Sequence, residues 1–159
     1  MSPFAPWPVD ITIVGAPRGK GRPRFAKGRT YTDADTARAE RTIREEWIAA
    51  GRPTLPACPL EACVTAVLAR PAAHYTTRGE LNAAGKRSPY PTKTPDVDNI
   101  WKLLLDALNG VAFPDDRYIV RAHIDKRWAL GVCDVTTEPE LPHVRIRIRE
   151  LHQAAARCG

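Results

Sequence analysis

The sequence predicts one α+β domain, a two-layer α/β arrangement whose elements follow in the order β-α-β-α-β-β. Four stretches alternate apolar and polar residues with the period of two that is typical of strands. Two others repeat apolar residues at the spacing of one helix face. A chain of 159 residues is expected to form a single domain, 1–159, around one core. We therefore expect a mixed four-stranded sheet with the helices on one face.

The first half of the chain contains two predicted strands with a helix between them. Residues 9–13 alternate as a strand does. Thr32 or Asp33 can cap a helix that runs to about Ala50, because both side chains accept hydrogen bonds from backbone amides. The predicted buried stripe of this helix is Ala39, Ile43, Trp47 and Ala50. Leu60–Leu68 alternates again and is the second predicted strand.

A basic segment at residues 15–30 is rich in glycine and proline and is predicted to be a loop. It holds six basic side chains: Arg18, Lys20, Arg22, Arg24, Lys27 and Arg29. Charge this dense, interrupted by Phe25, favours contact with a phosphate backbone over a merely solvated loop. We therefore expect Lys20, Arg22 and Arg24 to contact DNA.

A second long connection, residues 70–94, is polar and contains several prolines and glycines. Loops this long without secondary structure are uncommon and are usually functional or disordered. Because this one leads directly to Asp96, we expect it to reach over the acidic stretch that follows.

Residues 95–117 are unusually acidic for a basic protein. Their five carboxylates are Asp96, Asp98, Asp106, Asp115 and Asp116. Carboxylates this close in sequence repel one another unless a positive group lies among them. Mg²⁺ is the expected cation, because it takes oxygen ligands and keeps several waters.

The same stretch predicts the second helix. Asp96 or Asp98 can cap its N-terminus, and the apolar residues that follow repeat at helical spacing. Asp98 and Lys102 are four residues apart and share a face, which Asp106 extends by one turn. Gly110 suits the position just after the helix, where a left-handed conformation favours glycine.

Two further strands complete the predicted sheet. In the third, residues 118–128, the apolar face is Tyr118, Val120, Ala122, Ile124 and Trp128, and the polar face is Arg121, His123, Asp125 and Arg127. Lys126 falls on the apolar face by parity, which indicates either a bulge or an inward functional position. The fourth strand contains Val144, Ile146 and Ile148 in alternation with arginines. Residues 1–8 and 151–159 are expected to be loose termini.

Composition limits the classes of partner and compartment. The net charge of +6 favours a polyanionic partner such as nucleic acid. No apolar run approaches membrane-spanning length and the N-terminus has no signal pattern, so we expect a cytoplasmic protein with no membrane partner. No nucleotide cofactor is expected. The cysteines are predicted to be free thiols because none is paired as CxxC: Cys58, Cys63, Cys133 and Cys158.

The acidic stretch resembles the core motif of the RusA family of Holliday-junction resolvases. That motif reads DxDNxxKxxxDAL followed by a pair of aspartates. The matching residues are Asp96, Asp98, Asn99, Lys102, Asp106, Ala107, Leu108, Asp115 and Asp116. The segment KGRPRF at residues 20–25 is similar to an element common in phage-type members. With Lys126 downstream, the resemblance covers residues 11–150, which is most of the chain.

This resemblance implies an endodeoxyribonuclease of DNA recombination and repair that uses Mg²⁺, with Mn²⁺ as a substitute. It would cut four-way junctions by paired symmetric nicks, and the two-fold symmetry of the junction implies a homodimer. Asp96, Asp98 and Asp116 would be the essential metal ligands, with Asp115 as their neighbour. Which of the two adjacent aspartates ligates directly, and whether one or two ions bind, stays open. Lys102 would neutralise charge on the phosphate, and Lys126 would join the DNA contacts.

Two other functions fit parts of the sequence. Pro95 and Asp96 also begin the PD…(D/E)xK signature of restriction-type nucleases, but Asp125 and Lys126 are adjacent rather than separated by one residue. A non-catalytic DNA-binding protein, whose acidic residues only cap a helix, would bind DNA without Mg²⁺ and without cleavage. A four-way junction incubated with the protein, with and without Mg²⁺, separates these hypotheses.

Overall fold

The computed structural model describes residues 7–21, 24–26, 29–31, 33–131 and 139–151, and it gives the backbone course alone for 24–26 and 29–31. Arg22 and the side chain of Arg24, two predicted DNA contacts, therefore lie outside the described part of the chain. The same holds for most of the predicted loose termini, at 1–6 and 152–159.

The described residues form six strands and three α-helices. The strands are β1 (Val9–Val14), β2 (Arg24–Ala26), β3 (Arg29–Tyr31), β4 (Leu60–Leu68), β5 (Ile119–Trp128) and β6 (His143–Glu150). The helices are α1 (Ala34–Ala49), α2 (Ala83–Arg87) and α3 (Val97–Leu108), and single 3₁₀ turns lie at Ala72–His74 and Asp116–Tyr118. Within these ranges, no helix is both long and apolar enough to cross a membrane.

Four strands form the main sheet, in the order β1-β6-β4-β5. β6 pairs antiparallel with both β1 and β4, whereas β4 and β5 are parallel, so the sheet is mixed as predicted. A parallel pair needs a long crossover, and α3 with its flanking segments provides it. β2 and β3 form a separate antiparallel hairpin. Apart from this hairpin and α2, the element order is the predicted β-α-β-α-β-β.

The core lies between one face of the sheet and the two long helices. Ile11, Ile146 and Val64 are paired across β1, β6 and β4, so their side chains share a face. They belong to one buried cluster with Trp47 of α1 and Leu104 of α3. Burial of each large side chain of this kind stabilises the fold by about 1.5–3 kcal/mol. Packing against this face fixes the direction of α3.

The opposite face of the sheet is charged and internally paired. Arg145 donates to Asp10 at 2.9 Å, and Arg149 donates to the buried Glu61 at 2.7 Å. Burial raises the pKa of Glu61, but the hydrogen bond and positive charge of Arg149 lower it further, and the net pKa lies below the usual range. The positive charge of Arg145 and Arg149 on this face is therefore neutralised by carboxylates of the same chain.

Two details of the predicted elements were wrong. α1 ends at Ala49 and Ala50 is exposed, so Ala50 does not belong to the buried stripe with Ile43 and Trp47. In β5, the register shifts by one residue between Leu60 and Glu61 of β4. This bulge leaves Val120 unpaired and 62% exposed, although it was predicted to lie on the apolar face.

Both predicted long loops contain secondary structure. The basic segment 15–30 includes the β2–β3 hairpin, and the connection 70–94 includes a 3₁₀ turn and α2. These elements could not be predicted from the sequence, because they are too short to show a hydrophobic period and are rich in glycine, proline and charged residues. Prediction of either segment as a structureless loop was therefore wrong.

Candidate active site

The N-terminus of α3 carries two carboxylates that point away from the core. Asp96 is the N-cap residue, and its side chain makes no capping hydrogen bond. Asp98 lies in the first turn and is exposed. An N-cap aspartate ordinarily accepts a hydrogen bond from a backbone amide of the first turn. Since Asp96 does not, its carboxylate is available for another role.

A cleft of about 550 Å³ runs along this side of α3. Seven residues line it: Lys20, Gly21, Asp96, Asp98, Asn99, Lys102 and Asp106. Asp98, Lys102 and Asp106 share one face of α3 because they are four residues apart, and Asp96 precedes them as the N-cap residue. The other face of the helix is buried, at Ile100, Leu103, Leu104, Ala107 and Leu108.

Two lysines neutralise carboxylates within the cleft. Lys102 Nζ lies 3.2 Å from Asp98 Oδ2, and both side chains are more than half exposed, so this pair contributes little to stability. Lys20 forms an ion pair with Asp106 and lies 3.8 Å from Glu40 of α1. Lys20 was predicted to contact DNA, and in the free chain its charge is shared between these two carboxylates.

The segment that carries Lys20 is held between α1 and α3 by its backbone. The Lys20 amide donates to the Asn99 carbonyl at 2.8 Å, and the Gly21 amide donates to Thr36 Oγ1 at 3.1 Å. A Cβ atom at Gly21 would lie 2.7 Å from that hydroxyl oxygen, so only glycine fits without movement. This close approach places Lys20 beside the acidic residues of α3.

Lys126 supports the chain just before Asp96. It lies on the helix face of β5 without a bulge, in register with Ala66. Its Nζ donates to the Lys93 carbonyl at 2.8 Å and to the Pro95 carbonyl at 2.9 Å. Lys126 was predicted to contact DNA; the structure gives its ammonium group a bracing position, and DNA contact stays a prediction.

The second acidic pair lies at the other end of α3. Asp115 accepts a hydrogen bond from the Arg117 amide at 2.9 Å and caps the 3₁₀ turn, whereas Asp116 is exposed. α3 is 12 residues long, about 18 Å, and Asp115 and Asp116 follow its C-terminal end, whereas Asp96 precedes its N-terminal end. Accordingly, no three carboxylate, histidine or cysteine side chains in the described ranges are grouped as a metal site.

Comparison with known proteins connects this arrangement with a nuclease family. The sequence model of the family described as endodeoxyribonuclease RusA matches residues 15–149. The chain belongs to the RusA endodeoxyribonuclease family. An uncharacterized Bacillus subtilis (strain 168) protein, YqaN, is 28% identical over 148 residues, which cover 90% of this chain and 96% of that protein.

Membership of the RusA family establishes the class of enzyme: a hydrolase that cuts DNA internally. RusA-type nucleases act on branched DNA junctions and generally depend on a divalent metal. In a nuclease family of this kind, carboxylates can hold a metal ion and lysines can bind a phosphate, and the cleft contains both types of side chain. Sequence reasoning found Asp96, Asp98 and Lys102 from their local spacing. It missed Glu40 and the bracing position of Lys126, because their partners are distant in sequence.

Proposed function

We propose that this RusA-family enzyme is a Mg²⁺-dependent resolvase that cuts four-way DNA junctions by paired symmetric nicks. The observation that carries the proposal is the Asp96 carboxylate, which occupies a cap position without capping and lines a cleft with Asp98 and Lys102. A helix-capping role does not account for Asp96, whose side chain makes no capping hydrogen bond. This argues against a non-catalytic protein whose acids only cap α3.

The donor set of the cleft fits a hard divalent cation. Asp96 and Asp98 offer carboxylate oxygens, and Mg²⁺ commonly binds through one or two carboxylates together with waters and substrate phosphate. Mn²⁺ has similar ligand preferences and can substitute. When bound, the ion would activate a water and stabilise charge on the scissile phosphate and leaving oxygen. Asp96 and Asp98 would hold it there.

Lys102 has a separate task in this proposal. Its ammonium group lies at the exposed edge of the cleft, 3.2 Å from Asp98, and exchanges partners at little cost because the pair is solvated. A phosphate that enters the cleft would attract Lys102 away from Asp98. The lysine would then neutralise negative charge on the phosphate oxygens, and Asp98 would be free to ligate the metal.

Asp116 bears on the assembly of the enzyme. Its carboxylate lies beyond the C-terminal end of α3, and within one subunit the described residues do not group it with Asp96 and Asp98 as a metal site. A symmetric homodimer, the commonest closed oligomer, can place Asp116 of the partner subunit beside Asp96 and Asp98. We infer that each active site is completed in this way, and that Asp115 serves as the cap beside it.

Separate measurements of binding and cleavage test the proposal. Asp98→Asn keeps the size of the side chain but removes the charge that attracts Mg²⁺. Junction cleavage should therefore collapse, while metal-free binding stays equal or tightens because the repulsion of DNA falls. Lys102→Ala should lose cleavage without the gain in binding, because it removes a positive charge. Wild-type cleavage rates for Asp98→Asn in Mg²⁺ would leave the carboxylates without a catalytic role.

A further inference from the structure

The connection between β4 and α3 is a folded arm, defined here as residues 70–94. It contains a 3₁₀ turn at Ala72–His74 and the short helix α2, and Tyr75 and Leu81 form a β-bridge between them. Asn82 caps α2 by accepting hydrogen bonds from the amides of Ala84 and Gly85, at 2.9 and 3.0 Å. The arm is thus ordered by its own backbone contacts.

The arm is attached to the end of β5 through one aromatic side chain. Trp128 Nε1 donates to the Ser88 carbonyl at 2.9 Å, and the Arg70 guanidinium lies over the indole, 5.4 Å from its centroid. The same guanidinium donates to the carbonyls of Gly85 and Ser88 at 3.1 and 3.2 Å. At the other end of the arm, Lys126 holds the Lys93 carbonyl. The arm therefore has a fixed position relative to α3.

In residues 86–94 of this arm, three cations and one tyrosine are exposed and have no side-chain hydrogen-bond or ion-pair partner within the described ranges: Lys86, Arg87, Tyr90 and Lys93. Tyr90 is 68% exposed, so its ring is accessible to a stacking partner. Most other cations discussed above are paired: Lys20 with Asp106, Arg145 with Asp10 and Arg149 with Glu61. Uncompensated positive charge is thus concentrated next to an exposed ring.

This surface leads directly into the catalytic cleft. Lys93 precedes Asp96 by three residues, a chain length that spans at most about 10 Å. A phosphodiester backbone that enters the cleft therefore passes within reach of Lys93, and Lys86 and Arg87 lie further along the arm. Exposed lysine and arginine residues of this kind bind phosphates, whereas an exposed tyrosine ring can stack on an unpaired base.

We propose that the arm is a DNA-binding surface for the strand that flanks the scissile phosphate. Lys86, Arg87 and Lys93 bind its phosphates, and Tyr90 stacks on a base exposed at the branch point. The inference rests on the proposed function only in taking branched DNA as the substrate. It assigns the discrimination between branch and duplex to Tyr90.

The phosphate contacts are tested with a pair of double variants of equal charge. Lys86→Ala/Arg87→Ala removes two cations from the arm, and the control Arg38→Ala/Arg41→Ala removes two from the outer side of α1. In EDTA, log affinity for a four-way junction is plotted against log salt. The arm variant should lower the slope by about 1.8, corresponding to two lost contacts, and the control should leave it unchanged. Equal slopes for both variants, with unaltered thermal unfolding, would exclude the arm from the interface.

The base contact is tested with Tyr90→Ala and the control Tyr90→Phe, which keeps the ring. Tyr90→Ala should weaken junction binding by about tenfold and leave binding to a duplex of the same sequence unchanged. Tyr90→Phe should behave as the wild type on both substrates. A loss of equal size on junction and duplex, or no loss at all, overturns the assignment of Tyr90.

The wild-type enzyme in the same experiments separates failure of the arm from failure of the proposed function. If the wild type binds junctions and cuts them in Mg²⁺ while the arm variants match it, the arm inference is wrong and the resolvase proposal stands. If the wild type cuts no junction in Mg²⁺ or Mn²⁺, the proposed function is wrong. The arm inference is then judged by the binding measurements in EDTA alone, and it fails as well only if the wild type does not prefer the junction to the duplex.

Discussion

Two inactive variants of this enzyme should restore activity to each other when they share a dimer. The expectation follows from α3, which begins at Asp96 and Asp98 and ends before Asp116, so that the described residues of one subunit do not group these three carboxylates as a metal site. If the partner subunit supplies Asp116, a dimer of one Asp98→Asn subunit and one Asp116→Asn subunit has one site with both defects. Its other site has neither.

The assay uses co-expressed subunits with two different affinity tags, so that purification through both tags yields mixed dimers alone. Each variant by itself should be close to inactive on a four-way junction in Mg²⁺. The mixed dimer should nick at about half the wild-type rate, because one of its two sites is intact. Its product should be a nicked junction rather than two resolved duplexes, since only one strand is cut.

A matched control comes from two substitutions at the same end of α3. In a mixed dimer of Asp96→Asn and Asp98→Asn subunits, both sites keep one defect whichever subunit supplies Asp116. This dimer should stay inactive. A mixed dimer of Asp98→Asn and Asp116→Asn that is no faster than its parents would show that Asp116 does not act across the interface. Light scattering that finds a monomer on junction DNA would lead to the same conclusion.

Three further outcomes are expected. Lys126→Met should lower kcat without changing the salt slope of junction binding, because its ammonium group braces the Lys93 and Pro95 carbonyls; a lower slope with an unchanged kcat would instead indicate phosphate contact. Asp106→Asn should tighten metal-free junction binding by releasing Lys20, and the double variant with Lys20→Ala should abolish that gain; a gain that survives in the double variant would exclude Lys20 as its cause. The hydrogen bond from Arg127 lowers the pKa of Glu140 from 4.5 to about 2, against the opposing effect of burial. The contribution of the ionised Glu140 side chain to the free energy of unfolding is therefore complete above pH 4.5 and is lost as the pH falls towards 2. Chemical denaturation should show a weaker dependence on pH across this window in Glu140→Gln, and an unchanged dependence would contradict the assignment.

Local patterns in the sequence were sufficient for the elements that build the core. Leu60–Leu68 has the predicted bounds, because nine residues with alternating apolar side chains leave little choice of structure. α3 was predicted from its apolar spacing and from Gly110, which has the expected positive φ of 75°. The bulge at Val120 was not predicted, since it depends on the register with β4 and has no signal in β5 itself.

In the candidate site too, contacts between residues close in sequence were predicted, whereas contacts between distant residues were not. Asp98 and Lys102 were placed together because four residues along a helix are one turn. The pairing of Lys20 with Asp106 joins residues that are far apart in sequence, and it exists only because Gly21 allows the loop to approach Thr36. Asp116 was assigned to the site by the family resemblance alone, because no local pattern in the sequence fixes where the chain after α3 places this carboxylate.

The two faces of α3 also bear on how this protein can evolve. Leu103, Leu104 and Ala107 fill the core, while Asp98, Lys102 and Asp106 occupy positions between them on the cleft side. Most positions of the helix therefore contribute either to the core or to the cleft. A shift by one residue would rotate the residues that follow by about 100° and move both sets away from their faces. Insertions and deletions should consequently be absent from this segment among functional descendants. Divergence would accumulate instead in the connections that precede and follow it.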